Sequence, residues 1–164
     1  MRDGVAIDSL AFARDAGELN ATLAVADMAR LHDVLFDRSG EVAYRLSGAV
    51  NKEGVSSLKL DLAAEFVLVC QRCLGPVRFN LYATRNFELI PETQPLGDPA
   101  EEPGDMERMH ANAQLDVAEL VEEEAILCLP MVARHQAGEC SVSPGLQEKE
   151  TKSPFSSLAP LKRQ

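Results

Sequence analysis

The sequence predicts an α+β fold: an antiparallel β-meander with a short N-terminal helix and a longer C-terminal helix packed on it, a flexible acidic loop and a C-terminal tail. Three observations carry this. Four segments alternate apolar and polar residues at period two, the mark of strands with one buried face. The last three of them are consecutive and joined by short turns, which suits antiparallel neighbours. Two further stretches space their apolar residues at three and four, as helices do.

In chain order, GELNATLAV at 17–25 sets Leu19, Ala21, Leu23 and Val25 on one face and reads as a short strand. Asp27 is then placed to cap a helix over 28–35, whose stripe of Met28, Leu31, Val34 and Leu35 suits packing on a sheet. Ser39-Gly40 marks a turn, after which EVAYRLSGAV alternates at Val42, Tyr44, Leu46, Gly48 and Val50. Asn51-Lys52-Glu53-Gly54 closes a hairpin into SLKLDLAAEFVLV, where Leu58, Leu60 and Leu62 alternate before an apolar run at 66–69. PVRFNLYATRNFELI continues the pattern through Val77, Phe79 and Leu81.

Residues 91–113 carry Pro91, Pro95, Pro99 and Pro103 with Glu92, Asp98, Glu101, Glu102 and Asp105, and few large apolar groups. They are expected to form a flexible acidic loop, because they cannot bury enough surface to offset their ordering entropy. A helix follows from 115 or 116 to Leu129, stopped by Pro130. One domain is expected over residues 1–140, with 141–164 a polar tail that ends in an apolar and basic cluster.

Composition narrows the function classes. Aromatic residues make up 5% and there is no Trp, so the core rests on Leu, Val and Ala, and aromatic stacking platforms for single-stranded RNA are not expected. The net charge of -10 repels phosphate, which disfavours bulk RNA binding and favours a basic partner such as a ribosomal protein. The longest apolar stretches fall short of the ~18 residues a membrane span needs. The opening MRDGVAIDSL has no signal-peptide core, so a cytoplasmic protein without membrane attachment is expected. There the four cysteines read as thiols or metal ligands rather than disulfides.

The sharpest local feature is Cys70-Gln71-Arg72-Cys73-Leu74-Gly75-Pro76, at the turn between two strands. Two thiols separated by two residues in a tight turn can face one metal ion, and Gly75 helps the turn to close. His135 and Cys140 are candidates for the remaining ligands, with Cys128 and His110 behind them. The set Cys70, Cys73, His135 and Cys140 would form a Cys3His structural zinc site that pins the segment after the helix to the sheet. Reduced, structurally inert thiols are the competing reading. A thioredoxin-like role fits poorly, since no helix starts at the motif to lower a thiol pKa.

In the C-terminal helix Val117, Leu120, Val121, Leu127 and Cys128 form an apolar arc with Glu124 near its middle, while Asp116, Glu119, Glu122 and Glu123 lie opposite. Glu124 either sits at the rim of the domain or is buried against Arg72 or Arg78. His32 falls on the exposed side of the first helix and His110 in the acidic loop. The sequence carries no nucleophile elbow and no phosphate-binding glycine loop, so no enzymatic activity is expected.

Taken in order, LVCQRCLGPV, LDVAELVEEEAILCLPMVARH, the later Cys140 and the terminal SPFSSLAPLK resemble the YceD family of bacteria. The resemblance implies a non-enzymatic role in the synthesis, processing or accumulation of large-subunit ribosomal RNA. The family motif falls on Cys70, Arg72, Cys73, Glu124, Leu129, Pro130, Cys140, Pro154, Phe155, Leu158 and Leu161, with Lys162 beside the last. Some relatives carry a second Cys-x-x-Cys after the helix, where this chain has His135 and Cys140. The expected partner is a ribosome assembly or ribosomal RNA processing protein. Its docking element is either the acidic faces with the tail acting in trans, or the faces alone with the tail folded back on its own domain. The alternative is a direct RNA-binding module using Arg72, Arg78, Arg85, Lys162 and Arg163.

Overall fold

The computed structural model describes residues 5–98, 104 and 106–140. The tail from 141 onward, with Pro154, Phe155, Leu158, Leu161 and Lys162, lies outside the described residues, as does the most acidic part of the loop.

The elements run β1 (Ala6–Ile7), α1 (Ser9–Arg14), β2 (Glu18–Ala24), β3 (Leu35–Asp37), β4 (Glu41–Val50), β5 (Ser56–Val69), β6 (Pro76–Ile90), β7 (Met106–His110), β8 (Leu115–Asp116) and α2 (Val117–Cys128). A six-stranded sheet is ordered β2-β4-β5-β6-β7, with β3 pairing the far end of β5, and β1 and β8 form a separate short ribbon. The expected meander is present: β2, β4, β5 and β6 pair antiparallel with neighbours, and Leu46 faces Leu60 while Leu62 faces Ala83. Even-numbered residues of β4 and β5 and odd-numbered residues of β6 therefore share the inner face, where Val42, Leu46, Leu58, Leu60, Phe66 and Leu81 are buried. At the hairpin, Asn51 Oδ1 accepts from the N–H groups of Glu53 and Val55, and Gly54 takes a φ of 84°.

Three expectations are corrected. Residues 28–35 are not a helix: Val25–Asp27 and Ala29–Leu31 form two 3-10 turns, and Leu35 begins β3. Eight residues are too few to hold a helix alone, whereas β3 gains backbone partners on β5. The spacing still marks the buried side chains Met28, Leu31 and Leu35, though Val34 is exposed. The short N-terminal helix is instead α1, capped by Asp8, whose side chain accepts from Ala11 N at 2.9 Å. It lies across β4 at Gly48, where a Cβ would meet Ala13 Cα and the Phe12 carbonyl oxygen at 2.7 Å.

The second correction concerns the acidic loop, which is interrupted by β7, a strand parallel to β6 from Asn86↔Met106 to Ile90↔His110. The sheet is thus mixed, and His110 ends a strand. Third, in α2 the apolar arc turns toward Ala118 and Ala125 rather than Leu127, which is 62% exposed at the helix end. Asp116 caps this helix by accepting from Ala118 N and Glu119 N.

Candidate metal centre

At the turn between β5 and β6 the backbone folds tightly: Leu74 N donates to Cys70 O and Cys70 N to Gly75 O, both at 2.9 Å. The left-handed residue that closes this turn is Leu74, with φ 60°, and not Gly75. The result turns Cys70 and Cys73 to one side. The chain leaving α2 passes the same turn, held by Gln71 N donating to Ala133 O at 2.9 Å, and this delivers His135 and Cys140.

The ligand atoms of Cys70, Cys73, His135 and Cys140 all lie within 4.8 Å of one another. Cys70 Sγ and Cys140 Sγ are 3.8 Å apart, Cys73 Sγ and His135 Nδ1 3.4 Å, and Cys140 Sγ and His135 Nδ1 3.7 Å. A tetrahedron built on zinc–sulfur and zinc–nitrogen bonds of ~2.3 and ~2.0 Å has sulfur–sulfur edges of about 3.8 Å and sulfur–nitrogen edges of about 3.5 Å. The four donors fit that ion in number, type and spacing. His135 Nε2 donates to the Pro76 carbonyl at 2.9 Å, the outer contact that leaves Nδ1 free to ligate.

The groups of the cluster differ in how readily they ionise. Backbone groups of Cys73, then of His135 and Arg72, direct hydrogen bonds that hold the Cys70 thiol down at about 5 against the effect of burial. Cys140 is pushed up to about 11 by burial first and then by its sulfur neighbours Cys70 and Cys73. His135 is raised by its bond to Cys70 and then by the Pro76 carbonyl. The Cys70 sulfur is thus the more readily ionised and the Cys140 sulfur the less, and a bound cation would favour the thiolate form of both.

The other expected site residues are dispersed. Arg72 is exposed on the knuckle, and its backbone N–H points at Cys70 Sγ at 3.5 Å. Glu124 is 3% exposed, and its partner is neither Arg72 nor Arg78 but Arg85, whose Nε donates to Oε2 at 3.0 Å. Arg78 pairs with Glu65 at the surface. Cys128 packs against the core with Arg85 Nη2 3.6 Å from its sulfur, away from the cluster. Glu122, expected on the solvent side, is 1% exposed and accepts from Arg30 N at 2.9 Å. No periodicity within the helix could reveal that role, since the donor lies 92 residues away.

Fold and site together define a small α+β protein whose longest hairpin carries, at its turn, three cysteine sulfurs and one imidazole spaced so that they could hold a metal ion. The family model described as Large ribosomal RNA subunit accumulation protein YceD matches residues 58–162, more than half of the chain, and the chain belongs to that family. No solved structure matches it. No helix among the described residues is long and apolar enough to cross a membrane.

Proposed function

We propose that the protein is a non-enzymatic, cytoplasmic factor in the synthesis, processing or accumulation of large-subunit ribosomal RNA, working as an adaptor that binds a basic protein of ribosome assembly. The process rests on family membership. The choice of adaptor over direct RNA contact rests on one observation: of Arg72, Arg78 and Arg85, which an RNA-binding patch would use, Arg78 meets Glu65 at the surface and Arg85 is engaged by the buried Glu124, which leaves exposed Arg72. Paired arginines in a chain of net charge -10 offer phosphate little, while exposed carboxylates such as Glu119 and Glu123 suit a cationic partner.

Zinc held by Cys70, Cys73, His135 and Cys140 supplies a closed cross-link between the β5–β6 turn and the segment after α2. Four protein donors complete a tetrahedron and leave no position for an activated water, which supports a structural and not a catalytic role. Affinity purification with and without ribonuclease tests the reading. Co-purifying assembly proteins should survive the nuclease. Recovery that disappears with it, together with direct binding to ribosomal RNA whose affinity falls steeply with salt, would establish the RNA-binding alternative.

A further inference from the structure

Three of the four donors at the β5–β6 turn are sulfurs, and two of these are held in different ways. Cys70 is buried and its backbone is fixed from both sides, Cys70 N donating to Gly75 O and Leu74 N to Cys70 O. Cys140 is partly exposed and follows a turn at 136–139 whose residues are all exposed and which closes on itself through Glu139 N donating to Gln136 O. A Cβ at Gly138 would meet nothing within 4 Å, so that turn has open space beside it. The Cys70 and Cys140 sulfurs lie 3.8 Å apart. A further approach of about 1.8 Å brings such a pair to the ~2.0 Å of a disulfide bond.

We propose that Cys70 and Cys140 form a peroxide-sensing pair that joins reversibly as a disulfide, so that oxidation exchanges the metal link between the β5–β6 turn and the chain after α2 for a covalent one. The exchange rests on the metal reading above, whereas the pairing of the two sulfurs does not. Hydrogen peroxide meets the partly exposed Cys140 sulfur first: the O–O bond breaks, one oxygen stays on sulfur as a sulfenic acid and the other leaves as water. The Cys70 sulfur then attacks, the S–S bond forms, and the sulfenic oxygen leaves as a second water. Two electrons pass from the sulfur pair to one peroxide, and where the sulfurs start as thiolates the two protons come from solvent. Cys73 and His135 are then the donors left in the cluster, and two donors fall short of the four that close a structural zinc site. Cys73 lies on the same closed turn as Cys70, while Cys140 is carried by the exposed one, so the pair that crosses between segments is the one with room to close. A reducing cytosol returns both thiols.

Trypsin separates the four cysteines: cleavage after Lys59, Arg72, Arg78, Arg108, Arg134 and Lys149 puts Cys70, Cys73, Cys128 and Cys140 on peptides 60–72, 73–78, 109–134 and 135–149. The full-length protein, purified reduced, is treated with a few equivalents of hydrogen peroxide, and released zinc is read with a chromogenic chelator before digestion and mass spectrometry. Peptides 60–72 and 135–149 should appear joined, rise in step with zinc release, and part again in dithiothreitol. Cys128 should stay open to alkylation, and a non-reducing denaturing gel should show single chains. Cys73→Ser removes a metal ligand but neither sulfur of the pair, and it should still give the joined peptides. Peptide 60–72 joined mainly to 73–78 overturns the proposal, as does joining between chains, or oxidation to sulfinic acid with no joined peptide. Zinc retained by the cross-linked protein overturns the exchange. Protein that starts without zinc and still joins Cys70 to Cys140 keeps the pair and removes the metal reading alone.

Discussion

Arg85 donates from Nε to Glu124 Oε2 at 3.0 Å, and each of the two is the charged interruption of an otherwise apolar face. Arg85 breaks the inward series Phe79, Leu81, Ala83, Phe87 and Leu89 of β6, and Glu124 breaks the arc of Val117, Val121 and Ala125 on α2. The pair joins helix to sheet. Arg85→Leu strands a carboxylate that is almost fully buried and should lower stability by about 2–4 kcal/mol in urea unfolding. The double change of Arg85→Leu with Glu124→Leu should recover most of that loss, because apolar replacement of a buried pair is often neutral.

The same pair sets a pH dependence. Burial, then the nearby Glu107 charge, raises the Glu124 carboxyl above its ordinary value of 4.5, against the pull of Arg85. A raised carboxyl binds a proton more tightly folded than unfolded, so its contribution is fully present below the ordinary value and is lost as pH rises through the folded one. Urea midpoints measured upward from pH 4 should carry this falling component, and Glu124→Gln should remove it.

Glu122 tests how the 3-10 turn at 29–31 is held against α2. Glu122→Ala leaves the Arg30 N–H without its acceptor and should cost about 1–3 kcal/mol, while Glu122→Gln keeps an oxygen in place and should cost less than half as much. Equal losses for the two variants, read from thermal or urea unfolding, would mean that the charge and not the hydrogen bond matters.

Gly48→Ala drives a methyl group into the backbone of α1, since a Cβ there comes within 2.7 Å of Ala13 Cα. Overpacking of this kind should cost about 1–3 kcal/mol, and increased amide exchange should concentrate in α1 and the middle of β4. The matching change at Gly75 meets only ordinary contacts, 3.5 Å to Cys73 Sγ, and should be mild.

What the sequence made legible follows from how local each cause is. The alternation in β4 and β5 reports the pleat directly, so those strands read with little error, and the spacing of Cys70 and Cys73 reports a turn. The break at Arg85 in the β6 alternation is the sequence signal that marks the partner of Glu124. Strand β7 was hidden because its pairing is parallel and non-local and its surroundings are rich in proline and carboxylates. The end of the predicted first helix became a strand because unpaired positions on β5 competed for the same backbone. Position on a helical wheel misjudged Glu122 and Leu127 alike, for burial there depends on what lies across from the helix and where the helix overhangs.

A divalent ion held by Cys70, Cys73, His135 and Cys140 would join the β5–β6 turn to the chain after α2. Native mass spectrometry of the full-length protein, purified under reducing conditions without chelator or added metal, measures this directly. One zinc per chain is predicted, released on acidification as protons compete for the thiolates and lost in Cys70→Ser, Cys73→Ser, His135→Ala and Cys140→Ser alike, but kept in Cys128→Ser. A metal-free mass for the unsubstituted protein, or zinc retained after loss of any two of the four ligands, would contradict it.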